Sequence, residues 1–374
     1  MSLSNLVFFL PFLFHFQGIF AGYVPIDRLH WNMNAAISVY ANIPQARSIT
    51  AMQRHIFVTT QSGSIYYVYP PESGLGDPDR VVQIISGLGI SHGIAHHNGN
   101  LYFTDRSKVY MVPNILQKIA KKEKINPEIF ISNLPDHGEP YHAGKYMRIH
   151  GNDMFISVGR PGDVGSDGGG QFGKIIRIDM QTKAMSDYAT GLRNSVGMDI
   201  NNASGHLWFT DNGPDRQGEE LPKEEVNEII TPGSFFGFPY THGGTPISKN
   251  LRSSDTVEPV LLLPAHVAPL GMVFYRGPMF PEMDGRVLLI AEHGSWARKN
   301  PLGYRISMFR FQANGKPDPA KKYEIFIDGW QDAQTGKVWG RPVDVTVDID
   351  GAIYITDDKK GVVYKFYKKY FELK

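Results

Sequence analysis

Cysteine is absent from all 374 residues. Its absence removes disulfides, thiolate metal ligands and cysteine nucleophiles. A secreted chain of this composition would have to stand on its core alone, which its length permits. An excess of either charge is also missing. The 38 basic and 37 acidic residues leave a net charge of +1, so neither nucleic acid nor an anionic membrane surface is implied as a partner. Beyond the N-terminus no stretch is long and apolar enough for a stable membrane span. Helical periodicity is scarce, with only Pro113 to Lys124 reading as helix. No charge run or Ser/Gly-rich linker divides the chain.

What is present suits many short strands and turns: 42% hydrophobic residues, 39 glycines and 25 prolines. One pattern recurs six times, an apolar strand that follows a turn and ends in small or acidic residues. The copies are Ile56 to Thr59, Leu101 to Asp105, Met154 to Val158, Leu207 to Asp211, Leu288 to Glu292 and Ile353 to Asp357. A second strand follows each, as at Ser64 to Val68 and Gly361 to Phe366; the fourth copy has only the weak Val226 to Ile230. Single hairpins cannot bury both faces, so the repeats must stack. Radial stacking gives an all-β, six-bladed β-propeller, whose edges are short and protected; one or two β-sandwiches are the alternative. The longest spacing lies between the fourth and fifth copies, so long loops leave the scaffold there, where function usually sits.

The first 22 residues read as a leader. Leu6 to Phe14 is nearly all apolar and small residues follow at Ala21 and Gly22, although no Lys or Arg precedes the run. The expectation is a signal peptide at 1–22, a single propeller domain at 23–374, and a secreted protein, periplasmic in a bacterium. An N-terminal membrane anchor or a buried strand is the competing reading. Asn202-Ala203-Ser204 matches a glycosylation sequon, a pattern that chance often produces.

The most specific run starts at Gly191-Leu192-Arg193-Asn194, passes Asn212-Gly213-Pro214 and ends at Gly237-Phe238-Pro239, with Glu219, Glu220, Glu224 and Glu225 between. A cationic fork, an amide, a turn at a strand end and a group of carboxylates are what an anionic cofactor and a Ca²⁺ require at one mouth. Two further blocks follow, Pro264 to Gly271 with Glu292 to Arg298, and Trp339 to Val345. In order and spacing these blocks resemble the soluble quinoprotein glucose/L-sorbosone dehydrogenase-like family, over most of the chain after Gly87.

The resemblance implies an oxidoreductase with pyrroloquinoline quinone and Ca²⁺ as cofactors, a small sugar or sugar aldehyde as substrate, and an external electron acceptor. It implies Arg193, Asn194, Arg341 and, less specifically, Arg298 as cofactor contacts, with Gly213 and Pro214 as calcium ligands through their carbonyls. One of Glu224 and Glu225 would assist the site. The family's catalytic base is a histidine ahead of the third repeat strand. His142 matches best, with a one-residue shift in register, and His137 and His150 compete. His266 and His293 read as hydrogen-bonded structural residues. Two other functions remain open: a calcium-dependent lactonase-type hydrolase, which gives no reason for the arginines, and a non-catalytic propeller that binds sugar or protein.

Overall fold

The computed structural model describes residues 23–71, 80–164, 167–247, 255–321 and 323–369. The expected leader at 1–22 lies outside the described residues. Six four-stranded antiparallel sheets, one of them with an added fifth strand, form the blades of a propeller. In chain order their innermost strands are Ala46–Met52, Ile94–His97, Met147–His150, Gly197–Ile200, Pro269–Phe274 and Pro342–Val347. These six strands pack side by side in a closed ring around the axis.

The six recurrent strands of the sequence are the second strands of the blades, for example Leu207–Asp211 and Ile353–Asp357. Their residues are buried almost without exception, because each blade is covered on both faces by its neighbours. Burial on both faces explains why they read as continuous apolar runs rather than as alternating ones. The outermost strands are partly exposed, as at Met185–Thr190. Among the described residues no helix is long and apolar enough to cross a membrane.

The chain's N-terminal strand, Ala36–Asn42, pairs antiparallel with Val362–Tyr367 and so completes the last blade. This pairing joins the N-terminal and C-terminal parts of the described chain in one blade, with Ala36–Asn42 as its outermost strand. The helix read from sequence is present as Ile115–Ala120, in the connection of the second blade.

The hydroxyl near the end of several second strands has a repeated task. Thr104 Oγ1 donates to the Lys145 carbonyl at 2.8 Å, Thr210 Oγ1 to that of Leu270 at 2.9 Å, and Thr356 Oγ1 to that of Arg47 at 2.5 Å. Each bond runs from one blade to the entry of the next. Buried carboxylates add further ties between blades. Asp199 accepts from the amides of Ile200 and Phe274 at 2.8 and 2.7 Å and ion-pairs with Arg148 and Arg276. Asp344 accepts from the Ile49 amide and the Tyr146 hydroxyl, both at 3.1 Å.

The long connection after the fourth blade's third strand also returns to the scaffold. Ser234–Phe235 pairs parallel with Met185–Thr190 as the fifth strand of the third blade. This pairing brings the Gly237 to Gly243 segment back beneath the mouth of the ring.

Candidate active site

A cavity of about 450 Å³ opens at the end of the ring where the innermost strands begin. Its walls carry His142, Arg193, Asn194, Gly213, His293 and Arg341 among others. Most of these residues lie in the short loops that lead into innermost strands, so the rigid ring fixes where they start. The volume falls in the range typical of small-molecule sites.

His142 precedes the third blade and has a left-handed backbone, φ 53°. Its Nδ1 lies 2.7 Å from the Arg160 carbonyl oxygen. A carbonyl only accepts, so Nδ1 carries the proton and Nε2 keeps its lone pair. Burial, helped by the nearby charge of Arg193, pushes the His142 pKa down to about 4. The ring is therefore neutral near pH 7. A Cβ on Gly159 would sit 2.6 Å from the His142 Cβ and 2.7 Å from its carbonyl oxygen. Glycine at 159 is thus what lets His142 occupy this place.

Arg193 is buried and its guanidinium is held by the chain itself. Nε and Nη2 donate to the Asp163 carbonyl and carboxylate, both at 2.8 Å, and Nη1 to the Asn212 carbonyl at 3.0 Å. Its amide and that of Asn194 donate to the two oxygens of Asp211 at 2.9 and 2.8 Å. One strand-end carboxylate therefore fixes the Arg-Asn pair against the Asn212-Gly213 turn. The Gly213 amide donates to Glu224 Oε2 at 2.6 Å. Pro214 is buried next to it and does not line the cavity.

Arg341 reaches the cavity from the loop that enters the sixth blade. Its Nε and Nη2 donate to the carbonyls of His293 and Gly294 at 2.9 and 2.8 Å, and its amide to Asp357 at 3.0 Å. His293 in turn bonds Asp358 through Nε2 at 2.9 Å. His266 also lines the cavity and its Nε2 bonds the Gly218 carbonyl at 2.7 Å. Arg298 lies outside the cavity wall, where it pairs with Glu220 at 2.6 Å. His137 and His150 do not line the cavity either.

Several lining residues carry no signal that the sequence made readable. Trp296, 70% exposed, presents its indole at the mouth. Arg216 adds a charge to the wall, and Asp163 and Asp215 flank Arg193. Trp296 falls inside the Glu292 to Arg298 block and Arg216 two positions after Pro214, so proximity to the motifs was the available clue. The wall thus combines oxygen donors at Asn212, Gly213, Asp215 and Glu224 with cations at Arg216 and Arg341. Such a combination suits a divalent ion beside an anionic ligand.

A family model described as TrAA12-like matches residues 230–369. An uncharacterized protein of Borreliella burgdorferi is 32% identical over 346 residues, which is 88% of each chain. A pyrroloquinoline quinone-dependent pyranose dehydrogenase of Coprinopsis cinerea is 25% identical over 249 residues, 62% of this chain and 32% of that protein. The chain therefore matches about a third of that relative's length. Among solved structures, the calcium structure of a Trichoderma reesei family AA12 protein superposes with a TM-score of 0.77 at 19% identity, over 91% of this chain and 97% of the other. At that identity the superposition speaks for the fold.

Proposed function

Because the chain belongs to the TrAA12-like family of soluble quinoprotein sugar dehydrogenase-like propellers, we propose that it oxidises a sugar or sugar aldehyde with pyrroloquinoline quinone and Ca²⁺. The observation that carries this reading is the 2.7 Å contact of His142 Nδ1 with the Arg160 carbonyl, which leaves Nε2 as the acceptor, in a cavity that combines oxygen donors with cations. The residues present fit the two groups. Arg216 and Arg341 would meet cofactor carboxylates, Trp296 its ring, and the turn at Gly213, the part of the expected Gly213-Pro214 pair that lines the cavity, would offer a carbonyl oxygen to the calcium. When bound, the quinone supplies a hydride acceptor that calcium polarises.

The chain's own contribution is positional and acid–base. His142 Nε2 takes the proton of the sugar hydroxyl, and the Nδ1 proton stays on the Arg160 carbonyl side. The bond to Arg160 holds the tautomer, so the base does not have to reorganise as charge develops. Arg193 acts on the site through others: it holds the Asp163 loop and the Asn212 carbonyl in place. An external electron acceptor belongs to the same proposal. So does secretion, which rests on the apolar run at the N-terminus.

Dye reduction by protein reconstituted with quinone and calcium tests this reading across a panel of aldoses and aldehyde sugars. Turnover that is lost in His142→Gln and kept in His137→Gln and His150→Gln is the expected result. Absence of any turnover in the wild type, with quinone bound, would favour a propeller that binds without catalysis.

A further inference from the structure

Beneath the Gly213 turn lies a group of side chains that the proposed reaction does not use. Asp211, Glu225 and His242 are buried, and one ligand atom of each lies within 4.8 Å of the other two. His242 Nδ1 is 3.6 Å from Glu225 Oε1 and 3.9 Å from Asp211 Oδ2, too far for hydrogen bonds. Among the described residues its Nε2 has no hydrogen-bond partner, and it lies 4.0 Å from Glu224 Oε2. All these side chains are at most 4% exposed. Among the described residues, His242 is the sole basic side chain in ion-pair contact with any of the three carboxylates. Buried carboxylates are ordinarily paired or bound to a metal.

We propose that Asp211 Oδ2, Glu225 Oε1 and His242 Nδ1 bind a first-row divalent cation such as Zn²⁺, separate from the calcium expected in the cavity. Ligands at about 2.0–2.2 Å from a metal stand about 3–4 Å from one another, and the observed 3.6 and 3.9 Å separations need little contraction. One imidazole with two carboxylates suits such an ion, whereas Ca²⁺ takes oxygen donors. The oxygens keep their present partners, the Arg193 amide on Asp211 and the Gly243 amide on Glu225, since each has a second lone pair.

The orphaned Nε2 then gains a role. With Nδ1 on the metal, Nε2 carries the proton and faces Glu224, the arrangement in which an outer carboxylate orients a metal-bound histidine. Glu224 already holds the Gly213 amide. A Cβ on Gly213 would lie 2.7 Å from the His242 ring, so the ion would sit directly behind the turn that faces the cavity.

The test uses the full chain without quinone, washed with chelator, resupplied with Ca²⁺ and titrated with Co²⁺ or Zn²⁺. Stoichiometric uptake of one ion per chain, visible Co²⁺ absorption bands and a higher melting temperature are expected. Glu225→Gln, which keeps the shape and the Gly243 contact, should abolish uptake, as should His242→Gln. Glu224→Gln should weaken it by about 10–100-fold. Failure of the calcium-loaded wild type to take up the ion, or uptake by folded Glu225→Gln equal to wild type, overturns the proposal. Quinone is left out, so either result is independent of the catalytic reading.

Discussion

Gly159→Ala tests whether His142 works from the position the fold gives it. Gly159 has no side chain and its φ lies outside the left-handed region, so the substitution strains no backbone by itself. The added Cβ would lie 2.6 Å from the His142 Cβ and 2.7 Å from its carbonyl oxygen. Carbon atoms in contact prefer about 3.5–4.0 Å, so one of the two segments must give way by about 1 Å. The obstacle is backbone and Cβ, not a flexible side-chain tip, and a displacement of His142 follows. Misplacement of a reacting group by about 1 Å costs on the order of 10²-fold in rate, while overpacking costs about 1–3 kcal/mol in stability. The assay is sugar-dependent dye reduction with quinone and calcium, run beside thermal melting. A folded variant with about a hundredfold lower turnover supports the argument. A folded variant with wild-type turnover would refute the assignment of His142 as the base.

Arg341→Ala should weaken quinone binding by roughly ten- to a hundred-fold, the equivalent of about 1.5–3 kcal/mol for a charge-assisted contact, whereas Arg298→Ala, at a residue that does not line the cavity, should leave it unchanged; titration of both variants decides. Burial holds the His293 pKa down at about 4 although Asp358 pulls it up. Its folded value is below its unfolded one, so its contribution is complete above about pH 6.5 and is lost as pH falls toward 4, by up to roughly 3 kcal/mol; urea melts of His293→Gln should show a shallower loss over that window. Asp199→Asn should destabilise the ring by about 3–5 kcal/mol, because Arg148 and Arg276 would lose a buried partner; an unchanged melting temperature would contradict the inter-blade role given to it.

The second strand of every blade was legible because burial on both faces writes an unbroken apolar run, as in Leu207 to Asp211. The innermost strands were not. Gly197–Ile200 is four residues long and contains a buried aspartate, whose pairing with two other blades no local pattern reveals. Ala36–Asn42 gave no sign that it belongs to the last blade, since its partner lies at the far end of the chain. The arginine and turn motifs marked the cavity, but what each side chain touches there was not readable. Arg193 and, less specifically, Arg298 read as anion contacts in sequence, and the fold holds the first on Asp163 and Asn212 and the second on Glu220. His242 stands outside every motif, and only the return of the 230–243 segment beneath the ring brings it to Asp211.

Binding of the quinone is the most direct measure of the central claim. Purified protein titrated with pyrroloquinoline quinone in the presence of Ca²⁺ should show a saturable change in visible absorption, absent in chelator and weakened in Arg341→Ala, and addition of a substrate sugar should then change the cofactor's absorption in wild type and not in His142→Gln. No saturable change in a folded, calcium-supplied wild type would contradict the account.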